Sequence, residues 1–311
     1  MKILLIGYNR IGDTILSTGL INFLLNKYKN ASFTIVTSSI SVSIFEDMPQ
    51  LEELIIVDKK KYSLHWLEIW LKTKSVKWDL IVDLRSSSLA NILSCKQKMI
   101  FKGNMHEHKL DQLKKFIGSV DEIKPKIWAN DKNYLDIYEK KNLKNNYICI
   151  APISNFPGKD WSIKKYTSLL ENDLFKNYDI VILGATSDKK ELDDINQLVQ
   201  GSNQVIKNLI NDANLIETYF ILKKAALFLG SDSANMHMAV AANIPTIGLF
   251  GPTNEKLYGP LGKNNLSLRG DKSFSEIVNQ LDYKSGKIKS YLDNLSVTKV
   301  HKEIERILES K

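Results

Sequence analysis

The stretch FLGSDSANMHMAVAANIPTIGLFGPT, residues 228 to 253, sets Asp232, Ser233 and His237 where one apolar run stops and a helix-compatible run begins. Backbone amides after Ser233 would point out of a helix start and could hold an anion. Small residues at Ser233 and Ala234 would let a ligand come close. His237, one turn in, could donate to a phosphate oxygen or stabilise a leaving group. The plainer reading is a helix cap with a histidine packed beside it. Three other polar stretches raise the same choice. In GYNRIGDTIL, Asp13 is either an N-cap worth about 1 kcal/mol or a carboxylate base, its charge favoured by a helix N-terminus. This stretch is no GxGxxG fingerprint, which argues against a standard dinucleotide site. In APISNFPGKDWSIKKY, Lys159 is either a solvated surface lysine or a phosphate ligand acting together with helix amides. In ILGATSDKKEL, Asp188 and Glu191 either cap a helix or bond ribose hydroxyls.

All four stretches follow short apolar runs, and the elements that would position them can be read from periodicity. In the first half, strands are expected at Ile3–Ile6, Phe33–Val36, Leu54–Val57 and Leu80–Val82. Each precedes a helix-compatible stretch, at Thr14–Tyr28, Ser39–Glu46, Ser63–Thr73 and Ser87–Leu93. The second half repeats the scheme, with strands at Tyr147–Ala151, Ile180–Leu183, Ala226–Leu229 and Thr246–Phe250. Its helices are expected at Ser162–Asn172, Asp188–Val199, Leu215–Lys223 and Ala234–Ala242. Alternating strands and helices predict parallel, doubly wound sheets, with ligands outside the strand carboxyl ends. Two such series predict an α/β chain of two Rossmann-like domains, residues 1–145 and 146–311, facing across a cleft. The polar stretch EKKNLKNN, residues 139 to 146, is the expected linker. A last helix from Val297 to Leu308 carries Val297, Val300, Ile304 and Ile307 on one stripe.

Bulk properties narrow the field. The 311 residues are 43% hydrophobic and 25% charged, as in ordinary globular proteins. Two distant cysteines, Cys95 and Cys149, form neither a disulfide framework nor a zinc motif, which suggests a reducing compartment. MKILLIGYNRIGD is too short in its apolar run for a signal peptide and reads as a first strand. No window approaches a membrane span. The net charge of +8 is uneven: residues 1–145 hold 23 Lys and Arg against 16 Asp and Glu, and residues 146–311 hold 20 against 19. An anionic partner is therefore expected for the first half, unless the lysines reflect only genome composition. No nucleic-acid-binding module accompanies the charge.

Taken together, IGD after the first strand, GKDWS in the middle and SDSANMHMAVAANIPTIGLFGPT near the end resemble the motifs of the bacterial ADP-heptose:lipopolysaccharide heptosyltransferases. These are inverting glycosyltransferases of family nine with the two-domain GT-B fold. The similarity in order and spacing runs from Ile3 to about Gly262, and GPTNEKLYGPLG is similar to the family's closing loop. The resemblance implies that Asp13 is the base for the acceptor hydroxyl. It makes Lys159 a phosphate ligand, with Asp232, Ser233, Ala234, His237 and Thr253 around the donor diphosphate. Asp188 or Glu191 would touch the ribose. Ala234 stands where the family usually has glycine. DLRSSSLAN, with Asp83 and Arg85, resembles the acceptor-side loop, and Arg10, Arg85 and Lys102 would meet the acceptor, with Lys96, Lys98 and Lys109 as further contacts. The implied partners are ADP-heptose and an anionic, lipid-linked saccharide, with neither metal nor other cofactor. The implied setting is a cytoplasmic monomer touching the inner membrane peripherally. A same-fold transferase with another donor or acceptor, a nucleotide-sugar epimerase and a non-catalytic binding protein stay as alternatives.

Overall fold

The computed structural model describes residues 1–131, 136–143, 146–280 and 290–310. The chain divides into two compact units, Met1–Asp131 and Lys132–Lys311. The linker expected over 139 to 146 includes residues 144 and 145, which lie outside the described residues. Its first two residues, Glu139 and Lys140, belong to a short helix at Ile137–Lys140 that packs on the helix Leu215–Lys223, with the Tyr138 hydroxyl donating to the Phe220 carbonyl at 2.7 Å.

In the first unit, β1 (Lys2–Ile6), β2 (Ser32–Thr37), β3 (Leu51–Ile56), β4 (Trp78–Asp83) and β5 (Cys95–Ile100) form one parallel sheet in the order β3-β2-β1-β4-β5. The first strand expected at Ile3–Ile6 is the central one. Ile3, Leu4, Leu5 and Ile6 are fully buried, because a strand covered on both faces must be apolar throughout. Helix Ile11–Lys27 crosses tightly: a Cβ at Gly19 would come within 2.8 Å of the Lys124 carbonyl oxygen. The segment expected to be helical at Ser39–Glu46 is a 3₁₀ turn at Ser39–Ile44.

In the second unit, β6 (Tyr147–Ala151), β7 (Asp179–Ile182), β8 (Ile206–Asn208), β9 (Leu227–Ser231), β10 (Thr246–Phe250) and β11 (Asn265–Arg269) form a parallel sheet ordered β11-β10-β9-β6-β7-β8. The terminal helix Val297–Glu309 buries Val300, Ile304 and Ile307 in this unit's core, with Val297 half-buried at the edge. In both sheets the strand order reverses beside the first strand of the unit. Those reversals fall between β1 and β4 and between β6 and β9, and they open a crevice at the carboxyl ends. Among the described residues, no helix is long and apolar enough to cross a membrane.

Candidate active site

The crevice between β6 and β9 gathers the second unit's candidates. Ala151 pairs with Gly230 at the strand ends, so the loops that follow are adjacent. After β6, Pro157–Lys159 forms a 3₁₀ turn and Trp161 anchors the segment, fully buried with its indole nitrogen donating to the Leu295 carbonyl at 3.0 Å. After β9, the buried Ser231 hydroxyl donates to the Lys159 carbonyl at 2.8 Å. This tie fixes the lysine's backbone. The Lys159 ammonium then donates to the Asp232 carbonyl at 3.1 Å and to its carboxylate Oδ2 at 3.2 Å. His237 Nε2 lies 3.7 Å from the other carboxylate oxygen, with both side chains buried. Asp232 thus sits between a cation and an imidazole, and its hydrogen bonds set the direction of the lysine.

Ser233 is the N-cap of helix Ala234–Ala241, yet its side chain makes no capping bond. Its hydroxyl oxygen is buried and, among the described residues, has no hydrogen-bond partner. Thr253 Oγ1, beyond the end of the neighbouring β10, is in the same condition. A buried hydroxyl without a partner costs on the order of 1–3 kcal/mol. Two of them beside a lysine and a helix start suit a bound anion. Arg269, a residue the sequence reading passed over, holds the loop that carries Thr253: its guanidinium donates to the carbonyls of Gly251 and Thr253 and to the Glu255 carboxylate.

Asp188 and Glu191 differ. Asp188 is exposed and caps helix Lys189–Gly201, accepting from Lys190 N at 2.8 Å and Glu191 N at 3.4 Å. Glu191 is half-buried and accepts from the Thr186 hydroxyl at 2.5 Å. Its charge is felt by Asp160, whose carboxyl burial pushes up to about 7. The Ser154 hydroxyl, donating to Asp160 at 2.7 Å, and the Lys159 charge work in the opposite direction. Asp160, inside GKDWS, is a second carboxyl that the sequence reading left unweighed.

In the first unit, the crevice between β1 and β4 receives Asp13 and Arg85. The helix starts at Ile11, with Arg10 as its N-cap. Asp13 is therefore its third residue and not its cap. The Lys109 ammonium, within Coulombic reach of Asp13, lies 4.8 Å from the Tyr8 ring centre and 4.5 Å from that of Phe101. Burial lowers the Lys109 pKa and Asp13 partly restores it. Arg85 stacks on Trp66 with 4.2 Å to the ring centre, and its Nη2 lies 3.4 Å from His65 Nε2. Asp83 is fully buried and shapes this loop, accepting from Arg85 N, Ser87 N and Ser87 Oγ at 2.7–2.8 Å. Arg10 and Lys102 are exposed. Lys96 does not join this group. It is bound to Asp79 at the amino end of β5, away from the strand ends that carry Asp13 and Arg85. Lys98 reaches Asn91 at 2.8 Å. Among the described residues, no three His, Cys, Asp or Glu side chains cluster to hold a metal ion.

Two parallel sheets of Rossmann order, each with polar groups at its switch point, make up the two-domain architecture of the GT-B class. The family model for glycosyltransferase family 9 (heptosyltransferase) matches residues 91–283, and the chain belongs to that family. It is 24% identical over 272 residues to lipooligosaccharide heptosyltransferase 2 of Campylobacter jejuni, covering 83% of each chain. It is 24% identical over 292 residues to a lipopolysaccharide heptosyltransferase 3 of Escherichia coli, covering 81% of this chain and 84% of that one. Among solved structures, a family 9 glycosyltransferase from Veillonella parvula superposes with a TM-score of 0.79 at 19% identity, over 100% of this chain and 97% of that one. The E. coli heptosyltransferase WaaC with ADP superposes with a TM-score of 0.75 at 16% identity, over 99% and 100%.

Proposed function

We propose that the chain transfers heptose from ADP-heptose to an anionic saccharide of the lipopolysaccharide core, inverting the anomeric carbon in one displacement. The observation that carries this reading is the Lys159–Asp232–His237 cluster, with the buried hydroxyls of Ser233 and Thr253, which have no hydrogen-bond partner among the described residues. A diphosphate oxygen would satisfy each hydroxyl, while the Lys159 ammonium and the amides at the start of helix Ala234–Ala241 would offset the charge. Ala234 in place of glycine adds one methyl group at that helix start, which leaves the amides available. The ADP in the WaaC structure named above and the heptosyltransferase names of both curated relatives support this donor.

In the reaction, Asp13 takes the acceptor hydroxyl proton as the new oxygen–anomeric carbon bond forms. The bond from that carbon to the β-phosphate oxygen breaks, and ADP leaves with the electron pair. Lys159, the Ser233 helix start and His237 stabilise the departing charge. Glu191 is the ribose ligand in this reading: its carboxylate accepts one hydrogen bond, from the Thr186 hydroxyl, whereas that of Asp188 accepts two backbone amides of the helix start. Arg85, held by Trp66, with Arg10 and Lys102, meets the anionic acceptor, and one chain acts as a monomer carrying both groups. A lipid-linked acceptor also brings the enzyme to the cytoplasmic face of a membrane.

Turnover of ADP-heptose against a core saccharide acceptor, with calorimetric binding of ADP, UDP and GDP, tests the reading. Asp13→Asn should lower kcat by roughly 10²–10⁴ with ADP affinity unchanged. Lys159→Ala should lower it by roughly 10²–10³ and weaken ADP. Near-normal turnover by Asp13→Asn would remove the base assignment. Preference for UDP or GDP would remove ADP-heptose as donor.

A further inference from the structure

The helix His65–Thr73 buries one face in the fold and leaves a second, apolar one exposed. His65, Ile69 and Thr73, four residues apart, are buried against the first sheet. On another face, Leu64, Leu67 and Leu71, spaced by three and four, are 54%, 52% and 52% exposed. Tyr62, in the turn before the helix, is 93% exposed and held there by a left-handed backbone with φ of 54°. A contiguous apolar patch that water would otherwise cover marks an interaction site.

The surrounding charge indicates what the patch meets. Between residues 58 and 77 the sequence has six lysines and two carboxylates. Glu68 is shared by Lys60 at 2.6 Å and Lys72 at 3.1 Å. Among the described residues, the exposed Lys59, Lys61, Lys74 and Lys77 are in no ion pair. Leucine and tyrosine rimmed by lysine is the composition of a helix lying in a bilayer interface. Four side chains fall far short of the roughly 20–30 residues a side of a stable protein interface.

We propose that Tyr62 and the Leu64–Leu67–Leu71 face dock the protein on an anionic lipid surface, with the flanking lysines drawn to the headgroups. This gives the membrane contact proposed above a defined place. It rests on that reading only for its biological sense, because lipid binding is read without donor or acceptor.

The test is co-sedimentation of the whole protein with phosphatidylcholine vesicles, with and without phosphatidylglycerol. Binding is expected only to the anionic vesicles, and salt should weaken it. Lys59→Gln with Lys61→Gln should lower partitioning roughly fivefold for each lysine. Leu67→Ser with Leu71→Ser should lower it about tenfold or more. All four sites are exposed, so circular dichroism should show both variants folded, and turnover on a delipidated saccharide should be kept. No binding to either vesicle, or equal binding by both double variants, would overturn the proposal. So would self-association that the leucine variant abolishes without any vesicle binding, which would assign the face to a second copy of the chain.

Discussion

At the scale of single residues, a side chain's existing bonds decide whether it can meet a ligand. Asp188 and Glu191 stand three positions apart, yet one caps a helix and the other lies beside Thr186 within the field of Asp160. Asp188→Ala should therefore cost about 1 kcal/mol of stability in a thermal melt and leave the Kd for ADP unchanged. Glu191→Gln should weaken ADP by about tenfold, the loss of a hydrogen bond made by a charged group. A reversed pattern would return the ribose role to Asp188. Asp160 makes a different prediction. Its carboxyl titrates near 7 in the fold, against an ordinary value of 3.8. Between those two values the native state binds the extra proton, so Asp160's contribution to stability is complete below about pH 4. It is lost as pH rises through about 7. Asp160→Asn keeps an acceptor for Ser154 and cannot ionise. Relative to the parent, the variant should gain stability as pH rises from about 4 to about 7. Parallel melting curves for the two proteins across that range would refute the assignment.

At the scale of elements, the site depends on how closely β9 approaches β6. A Cβ on Gly230 would lie 2.9 Å from the Ala151 carbonyl oxygen and 2.8 Å from the Phe228 ring. Gly230→Ala should cost roughly 1–3 kcal/mol as the strands are pushed apart. It should also weaken ADP, because Ser231 and Asp232 follow directly. Unfolding and calorimetry on the one variant check both effects, and unchanged ADP affinity would separate the strand contact from the site. The same burial explains what could be read from the sequence alone. Both central strands and their neighbours are covered on two faces, so they appear as apolar runs such as ILLI and YICIA. The strands that went unread, β5, β8 and β11, are all at sheet edges. CKQKMI is mixed because water reaches it, and its lysines serve the edge. Helix Lys109–Ile117 also went unread, although Leu110, Leu113 and Ile117 form one stripe and Gly118 with φ of 66° closes it. At the site, the motif positions were legible as polar residues at strand ends. The partners that hold them were not. Ser231 under Lys159, Arg269 under Thr253, and Trp66 under Arg85 are brought in from 16 to 72 positions away, 72 for Ser231 to Lys159 and 16 for Arg269 to Thr253.

At the scale of the molecule, the charge is divided as the two proposed substrates would require. The first half, 23 basic against 16 acidic residues, carries Arg10, Arg85 and Lys102, and both Arg10 and Lys102 are exposed. The second half is nearly balanced at 20 against 19, and the cation proposed to meet ADP, Lys159, is mostly buried, with its side chain 23% exposed. Exposed charges separated by more than a Debye length, about 10 Å at 0.1 M salt, are largely screened, whereas partly buried pairs are screened much less. Raising salt from about 0.05 M to about 0.5 M should therefore raise KM for the anionic acceptor by roughly tenfold, while KM for the donor moves by less than about threefold. Steady-state kinetics with each substrate varied in turn measure the two effects separately. Equal salt sensitivity for both would mean that the surplus lysines of the first half do not serve the acceptor. The vesicle measurement would then decide whether the lysines beside Tyr62 account for the surplus instead.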